Sequence, residues 1–185
     1  MDVVPPQPPL SDGVVALRLW RADDAAALVD ALDGDEEIAR WLDSIPQPYT
    51  YADAHAWLSQ TVHSWAEGNA CPFAVVDAET GRLLGGIGIR WTDPVIQTGE
   101  VGYWAREDVR GRGLTTRALR LVTDWALVAV GCERVVVRAD TENVPSQRVA
   151  ERAGFVREGV ERSARFSARQ GRRVDFVVYS RLPGD

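Results

Sequence analysis

Apolar and polar residues change period several times along this chain, and those changes divide it into elements. Val14 to Trp20 alternates, with Val15, Leu17 and Leu19 on one side, which predicts a strand ending at Arg21. Asp23 and Asp24 stand where a helix begins, Ala25 to Leu32 carries it, and Asp33-Gly34 breaks it. A second short helix is predicted over Glu36 to Leu42. Asp43 to Thr50 holds Pro46 and Pro48 and reads as a loop. Helical spacing returns from Tyr51 to Gly68, with Ala54, Trp57, Leu58, Thr61, Val62 and Trp65 on one face.

From Pro72 the period shortens to that of strands. Phe73 to Val76 and Leu83 to Trp91, separated by the Glu79-Thr80-Gly81 turn, read as an antiparallel hairpin. After an Asp93-Pro94 break, Thr98 to Arg106 makes another strand. Leu114, Ala118, Leu121, Val122, Trp125 and Ala129 then mark one face of a helix that stops near Gly131. Val135 to Ala139 is a short strand. Asn143 and Pro145 open a helix whose inner face is Val149, Ala150 and Ala153 and which Gly154 ends. Phe155 to Phe166 and Val174 to Leu182 close the chain as two long strands. The order predicts an α/β (α+β) domain over residues 13–183, with a mixed, mostly antiparallel sheet of about seven strands flanked by helices. Residues 1–12, with Pro5, Pro6, Pro8 and Pro9, are a proline-rich lead-in that joins neither a helix nor an inner strand.

Composition narrows the class. The 185 residues suit one domain with a substantial core. All 21 basic residues are arginine, and the formal charge of -6 argues against direct binding of nucleic acid through a broad basic surface. Cys71 and Cys132 lack motif spacing and read as buried free thiols. His55 and His63 flank a helix without partners at metal-ligand spacing, so no metal is expected. No apolar run approaches membrane-spanning length and no leader pattern is present, which reads as a cytoplasmic protein.

The stretch Val101 to Ala118 carries the chemistry. A strand there runs into Arg110-Gly111-Arg112-Gly113 and opens a helix, an arrangement that aims unpaired backbone N–H groups and the positive helix end at one point. That point suits a phosphate, and Arg110 and Arg112 add charged donors; a tight exposed turn before a surface helix is the other reading. The turn lacks the Gly-Lys-Ser/Thr of a Walker loop, and the run is too short for a dinucleotide fingerprint.

Three pieces resemble the GNAT N-acetyltransferase superfamily and, within it, the ribosomal-protein-alanine (RimJ/RimL-type) branch. Gly102-Tyr103-Trp104 with Arg110-Gly111-Arg112-Gly113-Leu114-Thr115 is similar to the family's acetyl-CoA signature, with Thr115 where Gly or Ala is usual. Asn143-x-x-Ser146 with Ala153-Gly154-Phe155 is similar to the branch's Asn-x-x-Ser and Gly-Phe pattern. The closing strands with Asp175 and Tyr179 are the third piece.

The resemblance implies an acetyl-CoA-dependent N-acetyltransferase without a metal. Its acceptor would be a protein N-terminal α-amine or a small-molecule amine. A catalytically silent acyl-CoA-binding or regulatory module is the alternative. It further implies that the glycine turn, Arg110 to Thr115, holds the pyrophosphate. A bulged strand end at Tyr103, Trp104 and Ala105 would pair with the pantetheine arm and donate N–H groups to the oxyanion. Glu100 matches a base position and is either that or an ion-paired strand residue. Ser146 matches the position that hydrogen-bonds the leaving sulfur, or is an ordinary first-turn serine. Asn143 is a helix cap that, by the resemblance, also contacts the pantetheine or positions the cofactor. Trp41, Tyr49 and Trp91 border the acceptor groove, whereas Trp57, Trp65 and Trp125 read as core. The arginines of the last hairpin form a solvated edge or a docking patch, and the strand pair there could support a homodimer.

Overall fold

The computed structural model describes residues 3–93 and 97–185, so Pro94 of the expected Asp93-Pro94 break lies outside the described residues. The elements are β1 (Leu10–Ser11), β2 (Val15–Arg18), α1 (Ala25–Leu32), α2 (Glu36–Trp41), α3 (Tyr51–Glu67), β3 (Ala70–Asp77), β4 (Leu83–Asp93), β5 (Thr98–Ala105), α4 (Leu114–Asp124), β6 (Arg134–Asp140), α5 (Val144–Arg152), β7 (Val156–Ser167) and β8 (Arg172–Arg181). They build one open eight-stranded sheet in the order β1-β2-β3-β4-β5-β6-β8-β7. Neighbours are antiparallel except β5 and β6, whose parallel pairing needs the crossover that α4 supplies. The strand beyond the expected seven is β1: Leu10 and Ser11, at the end of the proline-rich lead-in, pair with Leu17 and Ala16 at the sheet edge, where only one side needs hydrogen bonds.

Alternation divides the sheet's side chains between two cores. Val15, Leu17, Phe73, Val75, Val101, Val137 and Tyr179 face α4 and α5. Ala74, Val76 and Leu83 face α1, α2 and the first turns of α3, together with Trp20 and Tyr49. Trp57 packs against this second core, and Trp65 and Trp125 against the first. Both thiols are buried and free, and burial pushes Cys71 up to about 12. The helix predicted to end near Gly131 changes pitch after Asp124, with a wider π-type turn over Trp125–Ala129 before Gly131 at φ 78°. The outer strand β7 bears two register shifts and Ser163 at positive φ, features that bend an edge away from further pairing.

Candidate active site

The site begins where the sheet stops being continuous. β5 pairs with β6 only through Thr98–Arg134, Gly99–Val135 and Glu100–Val136, although β5 continues to Ala105 and β6 to Asp140. On its other edge β5 stays bonded to β4 as far as Ala105 opposite Gly85. From Val101 onward, therefore, one edge of β5 has no strand partner, and the gap opens into a cleft of about 640 Å³. α2 lines one mouth through Ile38, Trp41 and Leu42; α4 and α5 line the other through Thr115, Ser146 and Val149. The cleft therefore joins the two faces of the sheet.

The bulge expected at Tyr103, Trp104 and Ala105 is not a break in the ladder, since pairing with β4 runs without a shift from Gly99 to Ala105. The register shift of this pair lies at Trp91/Asp93 instead. Two glycines make the smooth run possible. A Cβ on Gly85 would stand 2.3 Å from the Trp104 carbonyl oxygen, and one on Gly86 2.5 Å from Trp104 Nε1. The opening thus comes from divergence of β5 from β6.

The glycine turn sits at the mouth of α4. Gly111 and Gly113 both have φ of 76°, and a Cβ on either would meet nothing within 4 Å. Gly113 is the N-cap residue, and no side chain caps the helix. The first N–H groups of α4 consequently face open space beside the cleft, a cradle that fits a pyrophosphate. Leu114 and Thr115 line the cleft in that first turn. Arg110 is otherwise engaged: Nε donates to the Ala105 carbonyl at 3.1 Å, Nη1 to Glu37 at 3.2 Å, and Nη2 to Asp35. It ties α2 to the end of β5. Arg112 is exposed and is not among the lining residues.

Across the gap, Asn143 caps α5, its Oδ1 accepting the Ser146 N–H at 3.1 Å. Ser146 in turn meets Tyr103 of β5. The Tyr103 hydroxyl lies 3.0 Å from Ser146 Oγ and 3.1 Å from the Ser146 carbonyl oxygen. Burial pushes the phenol up to about 12, against the Ser146 hydrogen bond, so it stays protonated across the neutral range. The phenol can donate to the Ser146 carbonyl, in the contact with Oγ either hydroxyl can donate, and the pair spans the opening where the strands have parted.

Glu100 lies on the opposite face from Tyr103, by alternation with Gly102 and Trp104. Arg138 Nη1 donates to its Oε2 at 2.9 Å, and Arg90 Nη2 stands 3.6 Å from the same oxygen. Arg138 also donates from Nε to Glu161 at 3.0 Å. Glu100 is thus both ion-paired and cleft-lining, its Oε1 making no hydrogen bond among the described residues. Of the three aromatic candidates only Trp41 lines the cleft. Tyr49 is buried in the second core, where burial and then Asp53 raise its phenol, and Trp91 packs against the first core. Sequence reasoning missed Arg138, Asp140, Arg148, Arg152 and Phe176, all lining. For Arg148 and Arg152 the signal was available, because helical spacing from Asn143 puts them one turn apart.

Among the described residues no helix is long and apolar enough to cross a membrane, and no group of three His, Cys, Asp or Glu side chains could hold a metal ion. Residues 15–156 match the family model of the acetyltransferase (GNAT) domain. YdaF of Bacillus subtilis (strain 168), named a candidate ribosomal N-acetyltransferase, is 27% identical over 173 residues, covering 91% of each chain. A ribosomal-protein-serine acetyltransferase of Escherichia coli (strain K12) is 32% identical over 85 residues, 46% of this chain and 48% of that one. Mycobacterium smegmatis RimJ, solved with CoA-disulfide, superposes with a TM-score of 0.83 at 24% identity, covering 92% of this chain and 83% of that one. With most of the chain inside the family model and the eight-stranded sheet parted at β5 and β6, the protein belongs to the GNAT acetyltransferase family and is an N-acetyltransferase.

Proposed function

We propose that this protein transfers the acetyl group of acetyl-CoA directly to a primary amine in a ternary complex, and that the acceptor is the α-amine of a protein N-terminus. The observation that carries the reading is the cleft that passes between β5 and β6, with an uncapped helix end on one face and a mouth lined by Trp41 and Glu100 on the other. Such a passage brings two substrates to one point from opposite sides. The relatives named for ribosomal proteins favour a protein acceptor.

The chain's own groups divide the work. The first N–H groups of α4 and the Gly111–Gly113 turn bind the pyrophosphate. The free edge of β5 adds backbone hydrogen bonds to the pantetheine amides, as it would to a further strand. Because Arg106 N–H bonds to the Leu84 carbonyl on the β4 side, alternation turns the Tyr103 and Ala105 N–H groups to the free edge, where they stand ready to stabilise negative charge on the carbonyl oxygen. Trp41 and Glu100 face the entering amine. A free α-amine, with a pKa of about 8, is already partly neutral near pH 7, so a strong base is not required. Glu100 accepts the surplus proton through Oε1 or a water on it. Ser146 gives a hydrogen bond to the departing sulfur, and Tyr103 supports it from behind: when the Ser146 proton turns to sulfur, the phenol proton turns from the Ser146 carbonyl to Oγ. The C–N bond forms as the C–S bond breaks; the nitrogen's proton goes to Glu100 and on to water, and the departing thiolate takes up a proton from water, so that one proton passes net from nitrogen to sulfur.

The test is thiol release from acetyl-CoA against N-terminal peptides differing in their first residues and against a panel of small amines. Release with peptides whose α-amine is free, and none with the same peptides blocked, is the expected result. Release only with small amines would replace the acceptor class.

A further inference from the structure

Charge is spread unevenly along this chain. Residues 162–173 read RSARFSARQGRR, five arginines and no carboxylate in twelve residues of a protein whose formal charge is -6. They form the outer half of the β7–β8 hairpin, from the irregularity at Ser163 to the turn. The two glutamates of β7 lie nearer the body of the sheet and are engaged there, Glu158 with Arg134 and Glu161 with Arg138. Of the five arginines, Arg165 stands 3.8 Å from Asp43, and Arg172 stands 2.6 Å from Glu142, which Arg40 shares at 3.3 Å. Arg162, Arg169 and Arg173 are exposed and have no ion pair among the described residues. Asp175, the next carboxylate along β8, accepts the Ser163 N–H at 2.7 Å.

A solvated edge that deters strand pairing explains charge on β7, but not the way these side chains are held. Arg169 donates to the Ile45 carbonyl, and Arg173 Nε donates to the Ser163 carbonyl at 3.1 Å. A backbone carbonyl fixes a guanidinium without cancelling its charge, so these forks are ordered and still cationic. Directly across from Arg173, Phe166 is 55% exposed. Arginine and exposed aromatic side chains are what protein interfaces concentrate.

The position of the tip says which partner. Ser167 Oγ donates to Asp43 at 3.0 Å, and with the Arg169 contact to Ile45 this ties the tip to the loop that follows Trp41, beside the mouth that admits the amine. Arg162, Arg169, Arg172 and Arg173 are not among the residues that line the cleft. A chain whose first residue lies in the cleft can still touch them, because ten extended residues reach about 33 Å. A small amine cannot. Nucleic acid suits the tip less well, since the rest of the chain is more acidic than the whole and repels a polyanion of long range.

We infer that the outer half of the β7–β8 hairpin is a docking surface for an acidic segment of the acceptor protein, several residues downstream of the α-amine that is acetylated. The surface rests on the N-terminal acceptor reading above, and the test separates the two. Thiol release is measured with peptides that share their first residues and then carry either glutamate or glutamine over about the next six, a span of about 20 Å. The unaltered protein is compared with the triple variant Arg162→Ser/Arg169→Ser/Arg173→Ser. On the unaltered protein the glutamate peptide should have a KM about tenfold lower than the glutamine peptide at the same kcat, a preference that fades with added salt. The triple variant should treat both peptides as the unaltered protein treats the glutamine peptide.

Equal KM values on the unaltered protein would overturn the docking surface and leave the acceptor reading standing, because both peptides would still release thiol. A preference that survives in the triple variant would also overturn it, by placing the acid contact elsewhere. Stronger competition by an RNA oligomer than by polyglutamate of equal charge would assign the hairpin to nucleic acid instead. No release with any peptide would remove the acceptor reading and the docking surface together. The three side chains lie on the surface, and an unchanged melting temperature with unchanged turnover of the glutamine peptide checks the fold of the variant.

Discussion

Two helices in this molecule begin in opposite ways. α3 starts at Thr50, whose hydroxyl accepts the Asp53 N–H at 3.3 Å while the Asp53 carboxylate accepts the Thr50 N–H at 2.9 Å. α4 starts at Gly113 in the left-handed region, with no side chain on its first N–H groups. Every helix faces the same shortage of partners for those groups. The reciprocal box at α3 supplies them from the sequence itself and stabilises the fold. The bare start of α4 leaves them for something that arrives from outside. A helix end that forgoes its cap beside a cleft is therefore informative in a way that a capped one is not.

Closing the bare end should have the largest effect. Gly113→Val puts a branched side chain at φ 76° and into the open space above α4. CoA affinity measured by calorimetry should fall about a hundredfold or more, with a stability loss of only about 1–2 kcal/mol. Unchanged affinity would mean that the start of α4 is bare for some other reason. The next effect belongs to the hydroxyl pair on the far side of the gap. Ser146→Ala should lower turnover by about tenfold to a hundredfold with little change in CoA affinity. Tyr103→Phe should cost about three- to tenfold, and nothing further when Ser146 is already alanine. A full additional loss in the double variant would show that Tyr103 does not act through Ser146.

The sequence made the capped and the bare helix equally easy to locate, and what it hid follows from distance along the chain. Periodicity marked α3, α4 and α5 because a helix's contacts repeat every few residues, and Gly111 and Gly113 marked the turn because only glycine takes that backbone freely. The Tyr103–Ser146 pair joins residues 43 positions apart, and its existence depends on where β5 leaves β6, which no local pattern encodes. Arg110 shows the converse, a contact that local sequence could not reveal. Its place in the glycine motif suggested a phosphate ligand, but Asp35 and Glu37, far upstream, occupy its guanidinium. Tyr49 lies in the loop expected to border the groove, yet that loop folds inward and buries it to 5% exposure. The smooth ladder of β5 was hidden for a related reason, since Gly85 and Gly86 matter only once they stand opposite Ala105 and Trp104.

The smallest effects come from the capped end and complete the contrast. Thr50→Ala removes the hydroxyl from the box and should cost about 1 kcal/mol in chemical denaturation while leaving CoA affinity unchanged. The box also carries a titration that the start of α4 lacks. The Thr50 hydroxyl, and then its backbone N–H, hold the Asp53 carboxyl below the usual aspartate range. Because the folded-state value is depressed, this stabilisation is complete above the ordinary aspartate value and is lost as pH falls through the lower, folded one. The stability difference between the unaltered protein and Thr50→Ala should therefore be constant near neutrality and shrink in acid as Asp53 takes up its proton. A difference that stays flat to the onset of acid unfolding would show that the carboxylate adds nothing to the cap. Gly113 has no titrating partner in its first turn, so the corresponding comparison at α4 should show no such acid limb.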